Sequence, residues 1–173
     1  RGHRRPGRAL PGHAEVYKAI GRVATQKVNV LVRGESGTGK ELVARAIYQH
    51  SPRATGQFLA VNCAAIPEHL FESELFGYEK GAFTGAEAKR IGKFEQCSGG
   101  TLFLDEVADR PMEIQVKRLR VLEDRQVQRL GAREGRRVNF RIVAATHRDL
   151  RALIDSGRFR LDLFYRLSGV VLQ

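Results

Sequence analysis

Gly34-Glu35-Ser36-Gly37-Thr38-Gly39-Lys40 fits the spacing G-x-x-x-x-G-K, and Glu41 follows it. Glycines at this spacing let successive backbone N–H groups turn toward phosphate oxygens, a following helix adds positive potential, and Lys40 reaches the outer phosphates. The bland alternative is a glycine-rich turn that merely starts a helix. Glu41 stands where Ser or Thr usually gives a hydroxyl to Mg2+. Taken alone, that means either an altered metal site or a loop that binds phosphate without hydrolysis. A second constellation lies downstream. Gly99-Gly100-Thr101-Leu102-Phe103-Leu104-Asp105-Glu106 is an apolar run ending on two adjacent carboxylates. Asp105 suits a water-bridged Mg2+, and Glu106 suits polarising an attacking water as general base. Surface acids at a strand end are the competing reading. They explain one acid better than an ordered pair that follows a phosphate loop.

These residues work only if strands and helices deliver them to one place. Val28 to Val32 is a short β-branched run ending at Gly34, so a buried strand enters the glycine loop, and Glu41 to His50 has helical period up to Ser51-Pro52. Phe58 to Val61, Thr101 to Leu104, Phe140 to Ala145 and Gly169 to Leu172 read as four further strands. Between them, helical spacing is expected over His13 to Ala24, Pro67 to Phe76, from Pro111 through Leu122, and over Asp149 to Ile154. Residues 77–92, punctuated by Gly77, Gly81, Gly85 and Gly92 around Phe83, read as a loop. Strands alternating with helices predict an α/β fold, a central parallel sheet flanked by helices, with ligands at the carboxyl ends of the strands. The glycine loop and the acid pair both fall there.

The chain has 173 residues, 42% of them hydrophobic, which is enough for one domain with a core. It lacks the roughly 18 consecutive apolar residues of a membrane span. The arginines at 1, 4, 5 and 8 are not followed by the apolar run of a signal peptide. Cys63 and Cys97 are too far apart for a CxxC site, so a reduced, cytoplasmic protein is expected. The formal charge is +11. The excess sits in residues 1–12, a flexible basic lead-in, and in residues 117–173, where 14 basic residues face six acidic ones. That excess is either a nucleic-acid surface or a set of solvated outer faces. Aromatic residues scarcely interleave with these arginines, which argues against single-strand stacking.

The segments GESGTGKE (34–41), ELFGYEKGAFTGA (74–86), GGTLFLDE (99–106) and RFRLDLFYRL (158–167) resemble the AAA+ domain of bacterial sigma-54-dependent transcriptional activators of the nitrogen-regulation type. The resemblance implies a P-loop NTPase with AAA+ core over residues 13–173, truncated before the helical lid subdomain, and cytoplasmic. It implies ATP and Mg2+ as cofactors, bound by residues 34–41 with Asp105 at the metal, and it removes most of the force of the Glu41 departure. Glu106 would be the catalytic base, Asn62 the residue that holds and releases it, and Thr146 the sensor of the γ-phosphate. His147 stands where the family often carries Asn, and no role is assigned to it. Arg160 and Arg166 match arginine fingers that reach a neighbour's site; without the resemblance they read as surface residues. Gly81-Ala82-Phe83-Thr84-Gly85-Ala86 matches the loop that contacts sigma-54, whereas the residues alone leave open a tip folded back on the core. The implied partners are sigma-54 RNA polymerase and further copies of the chain, in a hexameric or heptameric ring of the complete protein. DNA binding is expected from a separate domain absent here, and no membrane is involved. The function classes are thus an ATPase that remodels sigma-54 RNA polymerase to the open complex, or a module that binds nucleotide or sigma-54 without productive turnover.

Overall fold

The structure is a computed structural model that describes residues 11–34, 38–108 and 112–172. In chain order it begins α1 (Pro11–Ala24), β1 (Val30–Arg33), α2 (Thr38–Gln49), β2 (Phe58–Asn62) and α3 (Glu68–Phe76). A two-residue pair, β3 (Gly77–Tyr78) and β4 (Arg90–Ile91), is followed by α4 (Lys93–Gln96), β5 (Thr101–Asp105) and α5 (Met112–Asp124). A second short pair, β6 (Gln126–Val127) and β7 (Arg136–Arg137), leads to β8 (Arg141–Thr146), α6 (Leu150–Asp155), α7 (Leu161–Leu167) and β9 (Val170–Leu172).

Alternation along the strands decides the layering. Val30 and Val32 of β1, Phe103 of β5, and Val143 and Ala145 of β8 pack with Ile20 and Val23 of α1 and Ala44 and Ile47 of α2. Their neighbours Leu31, Leu102, Leu104, Ile142 and Ala144 point the other way, onto Phe71, Leu75, Leu119, Leu122 and Leu163 of α3, α5 and α7. Residues buried on both faces are what a parallel sheet between two helical layers requires. The strand order is β2-β5-β8-β1-β9, and every pairing is parallel.

The expected α/β architecture and all five long strands are present, displaced by a residue or two at their ends. Helix α1 starts at Pro11, inside the span read as a lead-in, because Pro suits a first helical turn whose N–H groups lack intrahelical acceptors. Residues 1–10 and Pro111 lie outside the described residues. Residues 77–92 are more ordered than a loop. Gly77 and Gly92 form a neck where Gly92 approaches the backbone so closely that a Cβ would lie 2.4 Å from Gly77 N, and Gly77 itself has φ 78°. The β6–β7 hairpin packs beside this neck: Leu130 N donates to Gly77 O, and Glu79 N donates to Leu130 O, both at 2.9 Å.

Candidate active site at the carboxyl edge of the sheet

The register places Asn62, Asp105, Ala145 and Val32 side by side at the carboxyl ends of β2, β5, β8 and β1. Gly34 N, just past β1, donates to Thr146 O at 3.3 Å, tying the start of the glycine loop to the end of β8. Lys40 follows in the first turn of α2 and is only 5% exposed. Glu35, Ser36 and Gly37 lie outside the described residues, as does the side chain of Thr38.

Burying an ammonium group demands charged partners. Lys40 Nζ finds them at the end of β5, 3.1 Å from Glu106 Oε1 and 3.8 Å from Asp105 Oδ1. Glu106 adopts φ 58°, the left-handed region that a non-glycine residue enters at a cost of about 1–3 kcal/mol. Its other carboxylate oxygen, Oε2, lies 2.7 Å from His147 Nδ1. Burial alone would raise the Glu106 pKa, but hydrogen bonds from Lys40 and His147 outweigh it and hold the carboxyl below its ordinary value. Asp105 goes the other way: burial raises its pKa, and Lys40 only partly offsets that. Two adjacent carboxylates with opposite shifts suit different tasks.

The other expected site residues are placed less uniformly. Thr146 is fully buried, and its hydroxyl accepts from Arg148 N at 3.1 Å. Asn62 is exposed and its Oδ1 accepts from Ala64 N at 3.1 Å; no hydrogen bond joins it to Glu106. His147 occupies that position on Glu106 instead. The signal for it was its place directly after Thr146 at the end of a strand adjacent to β5, yet nothing in its type indicated which carboxylate it meets. Glu41 is paired with Arg45 at 3.4 Å. Arg160 and Arg166, at the two ends of α7, make no ion pair with Asp105 or Glu106. Arg160 is clamped bidentately by Asp162 at 2.8–2.9 Å, and Arg166 lies 3.9 Å from Glu123.

For a divalent cation, Asp105 is the fitting ligand: a carboxylate at a strand end, with its Oδ1 already oriented by Glu106 N at 3.0 Å. Among the described residues no group of three His, Cys, Asp or Glu converges. A single strand-end carboxylate suits Mg2+, which usually keeps water and phosphate oxygens among its ligands.

The 81–86 loop folds back in part. Gly81 N donates to Ala86 O at 2.8 Å, Ala86 is buried, and the Phe83 ring meets Tyr78 edge-on at 4.9 Å between centroids. Phe83 is nonetheless 46% exposed, and Thr84 is exposed beside it.

Residues 9–173 match the model of the Sigma-54 interaction domain. The transcriptional regulator NtrC of Proteus hauseri is 54% identical over 163 residues, covering 94% of this chain and 34% of NtrC. The chain thus spans about a third of the curated relatives it matches. NtrX from Brucella abortus, solved in complex with ATP, superposes with TM-score 0.88 at 42% identity, covering 98% of this chain and 36% of NtrX. The P-loop NTPase domain of a sigma-54 activator from E. coli shares the fold, with TM-score 0.56 at 17% identity over 86% of this chain and 98% of that one. A phosphate-type loop after β1, an acid pair after β5 and these matches across nearly the whole chain lead to one assignment: the chain belongs to the Sigma-54 interaction domain family and has the P-loop NTPase, AAA+ fold.

Proposed function

We propose that the chain binds ATP with Mg2+, hydrolyses it where copies of the chain meet, and uses the 81–86 loop to act on sigma-54-bound RNA polymerase in transcription activation. The observation that carries this reading is Lys40, buried between Asp105 and Glu106 at the carboxyl edge. A buried lysine held by two carboxylates is a cation waiting for a stronger anion. When the phosphates of ATP arrive, Lys40 turns to them and releases Glu106. Glu106, still oriented by His147, accepts the proton of the water that attacks the γ-phosphorus, and ADP leaves with the bridging oxygen. Asp105 would hold Mg2+, which when bound would supply charge neutralisation at the phosphate oxygens. Arg160 and Arg166 of a neighbouring copy add positive charge to the transferring group, a contribution that can reach about 10³–10⁵ in rate.

Titration calorimetry with Mg-ATP tests the binding step. Wild type should bind, while Lys40→Ala should lose at least an order of magnitude in affinity, because charge-assisted contacts to phosphate contribute about 1.5–3 kcal/mol. Equal affinity for both proteins would remove the loop from the nucleotide site. The loop's role has its own test: Phe83→Ala should abolish capture of sigma-54 by nucleotide-loaded protein and leave Mg-ATP affinity unchanged. Undiminished capture would take Phe83 out of the contact.

A second reading, binding without productive turnover, is favoured by one feature. Arg160 is already engaged by Asp162 in its own chain, so it serves a neighbour only after breaking that pair.

A further inference from the structure

A cleft lies at the opposite edge of the sheet from Lys40. It has a volume of about 690 Å³. Five cations line it: Lys27 before β1, Arg53 after α2, Arg125 after α5, Arg137 at the end of β7, and Arg141 at the start of β8. No aspartate or glutamate is among the lining residues.

This cluster gathers five cations around one cleft with no acid in its lining. Several cations elsewhere are paired with carboxylates: Arg129 with Glu79 and Glu95, Arg90 with Glu74, Arg160 with Asp162. In the cleft three of the five cations are held by neutral acceptors, which fix position and leave the charge intact. Arg141, 4% exposed, donates to the carbonyls of Val28, Ala24 and Val23 at 2.6–3.1 Å, so it also closes the carboxyl end of α1. Arg53 donates to the carbonyl and side-chain oxygens of Asn139 at 3.2 and 2.7 Å. Arg125 donates to Phe140 O at 3.4 Å. Lys27 and Arg137 are exposed and have no side-chain partner among the described residues. Burial, and to a lesser degree the Arg53 guanidinium, pull the Arg141 pKa below the usual arginine value.

We propose that this cleft binds the phosphate groups of a nucleic-acid backbone. The cations come from five separate segments at one edge of the sheet; Lys27, Arg125 and Arg137 are exposed, Arg53 is half-buried and Arg141 is buried beneath them. Four accessible cations from separate segments suit several phosphates rather than one. Phe140 and Val138 in the lining are buried, so the cleft offers neither an aromatic platform for unstacked bases nor an apolar anchor for a peptide side chain. Binding is therefore to the duplex backbone and independent of sequence.

The test is fluorescence anisotropy with a labelled DNA duplex, titrated at salt concentrations from about 50 to 200 mM, where each phosphate contact contributes about 0.9 to the slope of log K against log salt. Three proteins are compared: wild type, a cleft variant (Arg53→Gln, Arg125→Gln, Arg137→Gln) and a control variant of equal charge loss outside the cleft (Lys18→Gln, Arg151→Gln, Arg158→Gln). The cleft variant should lose about 2–3 from the slope and at least tenfold in affinity, while the control loses less than one from the slope. Equal losses in both variants, or no loss in the cleft variant, would overturn the proposal. So would displacement of DNA by inorganic phosphate or polyglutamate beyond the effect of chloride at equal ionic strength, since the cleft would then be a free-phosphate or acidic-peptide site. Should the triple change fail to fold, Lys27→Gln with Arg137→Gln repeats the comparison, because these side chains hold nothing in place. Mg-ATP affinity of every variant reads the Lys40 site separately.

Discussion

At the scale of single residues, Lys40 stabilises one neighbouring carboxylate fully and the other only in part. Glu106, with its pKa depressed by Lys40 and His147, contributes stability above the ordinary carboxylate pKa and loses it as pH falls through its lowered value. Asp105, with its pKa raised by burial, opposes folding at neutral pH, and that penalty is relieved as pH falls through its raised value. Without nucleotide, Asp105→Asn should therefore raise the melting temperature at pH 7, and Glu106→Gln should lower it. Both differences should shrink toward pH 3. Shifts of the same sign at pH 7, read by calorimetry, would contradict the assigned environments. The types and order of Lys40, Asp105 and Glu106 were legible in the sequence because phosphate chemistry constrains them. The left-handed backbone of Glu106 and the His147 contact were not, because each depends on how two strands meet and not on residue type.

At the scale of elements, the five long strands read as short apolar runs and α1, α2, α3, α5 and α6 by helical spacing, whereas α7 did not read as a helix. The two-residue pairs β3–β4 and β6–β7 are too short for any period, and α4 is a single turn, so residues 77–92 read as an unstructured loop. The structure gives that segment a neck at Gly77 and Gly92 instead. Gly92→Ala should break it: the added Cβ would fall 2.4 Å from both Gly77 N and Leu75 O, and overpacking of this kind costs roughly 1–3 kcal/mol. Thermal unfolding and sigma-54 capture should both weaken, with Mg-ATP affinity retained, since the neck is remote from the carboxyl edge. Unchanged stability would mean that the neck does not hold the loop.

At the scale of the molecule, α7 presents Leu161 and Tyr165, 51% and 67% exposed, beside Arg160 and Arg166. An apolar patch flanked by arginines is a surface that a second copy can cover, and this geometry suits residues acting on a neighbour's phosphate. Cys63 and Cys97 are buried thiols, and burial pushes the Cys97 pKa up to about 12. The charge that first suggested nucleic acid divides in structural terms: part of it is paired with surface carboxylates, and five cations gather in the amino-edge cleft, whose lining holds no acid. No helix among the described residues is long and apolar enough to cross a membrane. If hydrolysis takes place between copies, its rate per chain must depend on protein concentration. Steady-state ATP turnover measured across protein concentrations, for wild type and for Glu106→Gln, tests the central claim most directly. The wild-type rate per chain should rise with concentration, and the variant should fall about 10²–10⁴-fold, the usual contribution of a general base, while still binding Mg-ATP. A wild-type rate no higher than that of Glu106→Gln at every concentration would contradict the account.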